Sequence, residues 1–275
     1  MKDKITISLS EDILSKIDND IKAGKQKNRS QVIENILKER YGNFSQVTVI
    51  IFCHDYKWDN RPYPFDIAKG LLLINGESII SRQVQIFSKA GITNIIITIP
   101  PNSTEVFSKE LKIKYKNISF SFIELDPELK TGSSLKEVFK KEHTLEELII
   151  ANGDIYYGSL DLESYFNYHK EQKSDFSFLL KFVANPEQLG NVLINGNKVI
   201  KFVERPKANP FYLTNSGLYI TTRSFLDKND FGDYLEYDLF TKLPELGNII
   251  GYIHTHEWEH IQNDSAYERV NGWNI

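Results

Sequence analysis

Asn152-Gly153-Asp154 directly follows the apolar run Glu147-Leu-Ile-Ile-Ala151. If that run is a strand of a parallel sheet, the Asp154 carboxylate stands at the sheet's carboxyl rim, where such sheets bind their ligands. A carboxylate there can hold Mg2+ on the phosphates of a nucleotide. Four further groups place charged and turn-forming residues at comparable points: Lys69-Gly-Leu-Leu-Leu-Ile-Asn-Gly76 ahead of a helix, Phe202-Val-Glu-Arg-Pro206, Asn215-Ser-Gly-Leu-Tyr219, and Trp258-Glu-His260 ahead of Asp264-Ser-Ala-Tyr267. Of these residues, Asp154 is the candidate metal ligand. Arg205 can grip a phosphate through two N–H groups at once. His254, His256 and His260 would share one side of a strand, and two imidazoles with Asp154 suit a transition metal. The plainer reading is a polar strand leading to the rim.

These residues need elements to position them. Val47-Thr-Val-Ile-Ile-Phe52 is continuously apolar, as expected of a strand buried on both faces. Ile79 to Ala90 has the period of an amphipathic helix and stops at Gly91, and Asn94–Thr98 is the next strand. The alternation continues through strand 118–125, helix 133–141 and strand 147–151, which predicts a doubly wound sheet. Residues 176–184, 191–203 and 211–221 are β-like and predict a mixed or antiparallel extension. The single cysteine, Cys53, excludes an intramolecular disulfide and reads as packing at a strand end.

The N-terminal 43 residues have another texture. Lys4 to Ser10 alternates strictly, with Ile5, Ile7 and Leu9 on one face and Lys4, Thr6 and Ser8 on the other. Ser10 opens a helix carrying Ile13, Leu14, Ile17 and Ile21, which stops near Gly24. A second helix opens at Asn28-Arg29-Ser30-Gln31 and ends near Tyr41-Gly42. One strand and two short helices cannot bury a core alone, but two copies can. This pattern resembles the ribbon-helix-helix repressors of the Arc and methionine-repressor class. The resemblance implies a dimer whose paired strands enter the major groove of double-stranded DNA. Lys4, Thr6 and Ser8 would face the bases, and Arg29 and Ser30 would meet a phosphate at the start of the second helix. The module carries nine Lys/Arg against seven Asp/Glu, in a chain of net charge -4.

The motifs of residues 47–275, taken in order, resemble the sugar-1-phosphate nucleotidyltransferases, such as glucose-1-phosphate thymidylyltransferases. The resemblance implies a Rossmann-like α/β domain with a mixed sheet of the GT-A-like kind, so the expected organisation is 1–43 followed by 47–275. It implies that Lys69, Asp154, Glu204, Arg205, Asn215 and Gly217 bind the ligand. It also exposes departures. Asp55 and Lys57 stand where the family's first-strand loop has glycines, and Asp59 stands where it has its catalytic arginine. Lys130-Thr131-Gly132-Ser133 takes the place of the base-binding run, His260 that of a second metal aspartate, and Arg205 that of the sugar-phosphate lysine. Glycine lets a backbone approach a phosphate closely. An unpaired Asp beside a triphosphate would repel it by roughly 4 kcal/mol at about 4 Å and an effective dielectric of 20. Tyr56 and Trp58, in the same loop, would plug the cavity or meet another subunit.

These departures lead to the expectation of a DNA-binding transcriptional regulator. Its large domain would be catalytically dead and would sense a sugar phosphate or nucleotide sugar, or drive assembly as a dimer or tetramer. The alternative is an active sugar-1-phosphate nucleotidyltransferase carrying a DNA-binding arm, and a third reading is an assembly protein whose arm only dimerises. No cofactor is required on the first reading, with Mg2+ joining if a nucleotide binds. No apolar run approaches the ~18 residues of a membrane span, and the N-terminus lacks the apolar stretch of a signal peptide. A cytoplasmic protein is expected.

Overall fold

The computed structural model describes residues 6–23, 27–33, 44, 46–55, 67–208 and 210–272, and divides the chain into two compact units, Met1–Ser45 and Gln46–Ile275. Lys4 and the loop residues Tyr56, Lys57, Trp58 and Asp59 fall outside the described residues.

In the first unit a helix spans Glu11–Lys22, with two acids in its first turn and Ile17 buried. Arg29–Ile33 is helical, and the Asn28 side chain accepts from the Gln31 N–H at 2.9 Å, satisfying a donor that the helix start leaves open. Of the expected strand, the described residues 6–10, with Thr6 and Ser8, have no strand structure, and Ile7 is 46% exposed. A lone strand has no ladder partner within one chain, so alternation by itself does not order it. Arg29 makes a two-pronged contact with Asp18, both bonds at 2.7 Å. A ribbon-helix-helix module is not shown.

Among the described residues the second unit has thirteen strands in chain order. They are β1 (Val47–Phe52), β2 (Leu73–Ile74), β3 (Glu77–Ser78), β4 (Asn94–Ile99), β5 (Ser119–Glu124), β6 (Glu147–Asn152), β7 (Ile155–Tyr157), β8 (Phe176–Phe182), β9 (Gly190–Asn195), β10 (Lys198–Glu204), β11 (Leu213–Thr222), β12 (Ile249–Ile253) and β13 (Trp258–His260). Nine of them form one sheet in the order β5-β4-β1-β6-β11-β8-β12-β10-β9. The β5-β4-β1-β6 half is parallel, β11 runs antiparallel to both its neighbours β6 and β8, and β9 and β10 form an antiparallel hairpin turned by Gly196 at φ +61. The mixed sheet expected from the sequence is therefore present.

The sheet arises from its sequence as the pattern requires. β1 lies in the middle of the parallel half and buries five of its six residues, which is why its apolar run does not alternate. The helix Ile79–Lys89 is capped by Ser78, whose hydroxyl accepts from the Ser81 N–H, and the chain leaves it through Gly91 at φ +89. Phe176, Phe178, Tyr219 and Phe240 pack with ring centroids 4.8 to 5.8 Å apart and anchor the part of the sheet around β8 and β11. No described helix is long and apolar enough to cross a membrane.

Candidate active site

β1 and β6 pair in parallel, with Phe52 opposite Asn152, so the residues that follow them emerge side by side at one rim. There the Gly153 N–H donates to the Phe52 carbonyl at 2.8 Å and locks the turn that presents Asp154. Cys53 fills the space beneath. A β-carbon on Gly153 would overlap Cys53 Sγ and come within 2.7 Å of the Phe52 carbonyl oxygen. One on Gly70 would lie 2.7 Å from the same sulfur, with its other neighbours at 3.6 Å. Both glycines are thus fixed by close approach to Cys53. Burial pushes the Cys53 thiol far up, with Asp154's charge adding to it, so the sulfur is packing rather than a nucleophile.

The two obstructions differ, and that sets up a test. Gly70→Ala is expected to cost about 1–3 kcal/mol by overpacking. It should become nearly neutral in a Cys53→Ala background, because sulfur is its one tight contact. Gly153→Ala should stay destabilised in that background, because backbone also obstructs it. Denaturant unfolding of both glycine variants, alone and in the Cys53→Ala background, with Cys53→Ala itself as reference, checks this; equal rescue of both glycines would contradict the packing.

Asp154 sits in the turn between β6 and β7. Its Oδ2 receives Lys69 Nζ at 3.3 Å and faces His260 Nε2 at 3.1 Å. Lys69 comes from a short helical turn, Lys69–Leu71, and its side chain is 6% exposed. His260 comes from β13, which pairs antiparallel with β7 so that His260 stands opposite Ile155. Burial alone would raise the Asp154 carboxyl, but the charges and hydrogen bonds of His260 and Lys69 outweigh it and hold the group well below the ordinary carboxylate range. Asp55 Oδ2 lies 3.8 Å from Lys69 Nζ. The repulsion expected of an unpaired Asp55 is therefore blunted, because its charge is shared with a buried ammonium.

These groups face a cavity of about 740 Å3, large enough for a nucleotide or a nucleotide sugar. Lys69, Asp154, Glu204, Arg205, Asn215, Gly217 and His260 all line it. Asn215 Oδ1 accepts from the Gly217 N–H at 2.9 Å, and Gly217 adopts φ +75 where the β11–β8 register shifts, packed closely against Ile155 and Asn152. Arg205 holds φ +45, and its Nε lies 3.4 Å from Glu204 Oε1. Burial pushes the Glu204 carboxyl up to about 7. The negative charge of Glu236 adds to that, and Arg205 and His260 oppose it.

Sequence reasoning missed two residues here. Glu236 lines the same cavity from a wide helical turn, Leu235–Phe240, and accepts from the Thr131 hydroxyl at 2.6 Å. Thr131 opens the helix Thr131–Lys141, whose next N–H groups, on Gly132 and Ser133, donate to the Asp233 carbonyl at 2.8 and 3.0 Å. His54, 3% exposed, has Nδ1 2.7 Å from the Thr98 hydroxyl and Nε2 2.9 Å from that of Ser134, tying the end of β1 to β4 and to the same helix. No sequence motif flagged either one, because each depends on segments more than forty residues apart.

The three-histidine reading needs correcting. β12 ends at Ile253, so His254 and His256 lie on the irregular stretch before β13 and not on one strand. His254 is buried against Tyr157, with neither ring nitrogen hydrogen-bonded among the described residues. Burial, aided by the charges of Lys181 and His256, lowers it to about 4. Among the described residues no group of three or more His, Cys, Asp or Glu side chains forms a metal cluster. A divalent ion carried by a nucleotide needs less, since substrate phosphates and water fill most of its positions, and the ionised Asp154 carboxylate suits it.

Comparison with known proteins places this geometry. The family model of nucleotidyl transferases matches residues 61–266, within the second unit. A candidate mannose-1-phosphate guanyltransferase of Sulfolobus acidocaldarius is 22% identical over 228 residues, covering 82% of this chain and 62% of that protein. The D-glycero-alpha-D-manno-heptose 1-phosphate guanylyltransferase of Aneurinibacillus thermoaerophilus is 25% identical over 174 residues, 63% of this chain and 74% of its own. Among solved structures, HddC from Yersinia pseudotuberculosis complexed with GMP-PN has a TM-score of 0.65 at 20% identity, covering 82% of this chain and 97% of that one; this likeness supports the fold alone. The chain thus spans just under two thirds of the first relative's length. These findings overturn the expectation of a DNA-binding regulator with a dead domain. The relatives carry the names of nucleotidyl-transferring enzymes, double-stranded DNA finds no support as a partner, and the alternative of a working transferase is favoured.

Proposed function

The chain belongs to the nucleotidyl transferase family, and we propose that it joins a nucleoside triphosphate to a sugar 1-phosphate. A phosphate oxygen of the sugar attacks the α-phosphorus. The bond from that phosphorus to the α–β bridging oxygen breaks, and pyrophosphate leaves with the electron pair. The observation that carries this reading is the convergence of Lys69 and His260 on the ionised Asp154 in the wall of the cavity, with Arg205, Glu204 and Asn215 lining the same space.

Each residue has work in such a reaction. Lys69, buried and held between Asp154 and Asp55, supplies positive charge for phosphate oxygens without needing to be ordered at the moment of reaction. Arg205, 57% exposed, can turn from Glu204 to a sugar phosphate and bind it through two N–H groups. Glu204 and Asn215 offer hydrogen bonds to sugar hydroxyls. Asp154 would hold a divalent cation, whose chemistry is to neutralise charge on the triphosphate and the leaving pyrophosphate. GTP is the donor to test first, since both relatives described above are named for guanylyl transfer.

The test is pyrophosphate release from GTP, and then from the other common nucleoside triphosphates, in the presence of mannose 1-phosphate, glucose 1-phosphate or heptose 1-phosphate. Release that depends on the sugar phosphate and on Asp154 supports the reading. Release that is equal without sugar phosphate is simple hydrolysis and rejects it.

A further inference from the structure

We infer that Asp154 and His260 form a mixed oxygen–nitrogen seat for the cation that accompanies the nucleotide, so that the site takes a first-row transition ion such as Mn2+ in preference to Mg2+. The inference rests on the transfer reading above and goes beyond it by naming the ion and a second protein ligand.

The geometry carries it. Asp154 Oδ2 and His260 Nε2 stand 3.1 Å apart. Two neighbouring ligands of an octahedral ion, each bonded at about 2.1 Å, stand about 3 Å apart. The two donors therefore already span one edge of a coordination octahedron, with an open cavity beside them. Backbone bonds hold both in place: the Ile261 N–H donates to the Asp154 carbonyl at 2.8 Å, and His260 sits in the β13–β7 pairing. Ligands fixed in this way lose little freedom when an ion arrives.

The surrounding charges allow the exchange. Lys69 Nζ meets the same oxygen, Oδ2, and would be displaced or weakened by an ion there. It has a second carboxylate, Asp55, at 3.8 Å, so the ammonium stays paired when an ion takes over Asp154. That gives Asp55 a use in a loop where the resemblance leads one to expect glycine.

Ligand chemistry sets the choice of ion. Mg2+ is hard, prefers oxygen throughout and gives up water reluctantly, so an imidazole adds little to its hold. First-row transition ions accept imidazole nitrogen beside carboxylate and phosphate oxygen, and their affinity for such mixed sites rises from Mn2+ along the series.

The experiment uses the full-length protein with Mn2+ and inorganic triphosphate, a ligand that contains no nitrogen. Pulsed electron paramagnetic resonance should then show nitrogen-14 coupling to the manganese that can come only from the protein. The coupling should vanish in His260→Ala and in His260→Asp. Competition titration should show Mn2+ binding at least about tenfold tighter than Mg2+, with the margin lost in His260→Asp. Bound Mn2+ without nitrogen coupling, coupling unchanged in both variants, equal affinity for the two ions, or no binding of Mn2+ would each overturn the inference. The outcome separates from that of the transfer reading. Sugar-dependent pyrophosphate release with Mg2+ and no nitrogen coupling would reject the nitrogen seat alone. Nitrogen coupling without any transfer would reject the transfer reading alone.

Discussion

Asp154→Asn is expected to slow nucleotidyl transfer by roughly 100- to 1,000-fold, the scale seen when one preorganised electrostatic contact to a reacting group is removed. The variant keeps the shape of the turn and removes the charge on which Lys69 and His260 converge. It should also be less stable. Breaking a buried ion pair by removing one partner typically costs about 3–5 kcal/mol, because the other charge is left uncompensated. Here the loss should fall at or below the lower end, since Lys69 retains Asp55 at 3.8 Å. Denaturant unfolding of Asp154→Asn, Lys69→Met and the double variant isolates the pair, and the double variant should be more stable than the sum of the single losses implies. Strict additivity would show that Lys69 and Asp154 do not act together. Wild-type turnover in Asp154→Asn would remove the carboxylate from the chemistry.

The second large effect is on the pH dependence of stability. The Glu204 carboxyl is raised from 4.5 to about 7 by burial first and by Glu236 second. A carboxyl raised on folding stabilises the native state fully below its unfolded pKa, and that contribution is lost as pH rises through the folded value. Stability should therefore fall between about pH 4.5 and 7. At 1.36 kcal/mol per unit the shift corresponds to about 3 kcal/mol, shared with Glu236, whose carboxyl burial also raises. Unfolding free energies of the wild type and Glu204→Gln across this range should converge at the acid end, with the variant gaining relative stability toward pH 8. Parallel curves would mean that Glu204 titrates as an ordinary surface carboxylate.

Much of this was readable in the chain because its causes are local. The continuous apolar run at β1 identified a strand buried on both faces, and Gly91 marked the end of the helix Ile79–Lys89. Asp154 was legible because a carboxylate directly after a buried strand has few places to go except the rim. Glu236 and His54 were not legible, since Glu236 reaches the cavity through Thr131, 105 positions earlier, and His54 is held by Thr98 and Ser134. His254 and His256 misled because spacing along a strand says nothing once the strand stops at Ile253. The first-strand loop misled in another way. In the sequence Asp55 stands as an isolated charge, whereas the fold brings it to Lys69, fourteen residues on. At the N-terminus, alternation over Lys4–Ser10 described a face that only a partner strand could order.

The central claim is that this cavity joins a nucleotide to a sugar phosphate. The most direct measurement follows the label of α-phosphorus-labelled GTP in the presence of mannose 1-phosphate, glucose 1-phosphate or heptose 1-phosphate and a divalent cation. The account predicts that the label moves into a nucleotide sugar, with one pyrophosphate released per product, and that Asp154→Asn suppresses this by at least about 100-fold. Label that stays in nucleotide for GTP and for every other common triphosphate, or product that forms equally in Asp154→Asn, would contradict it.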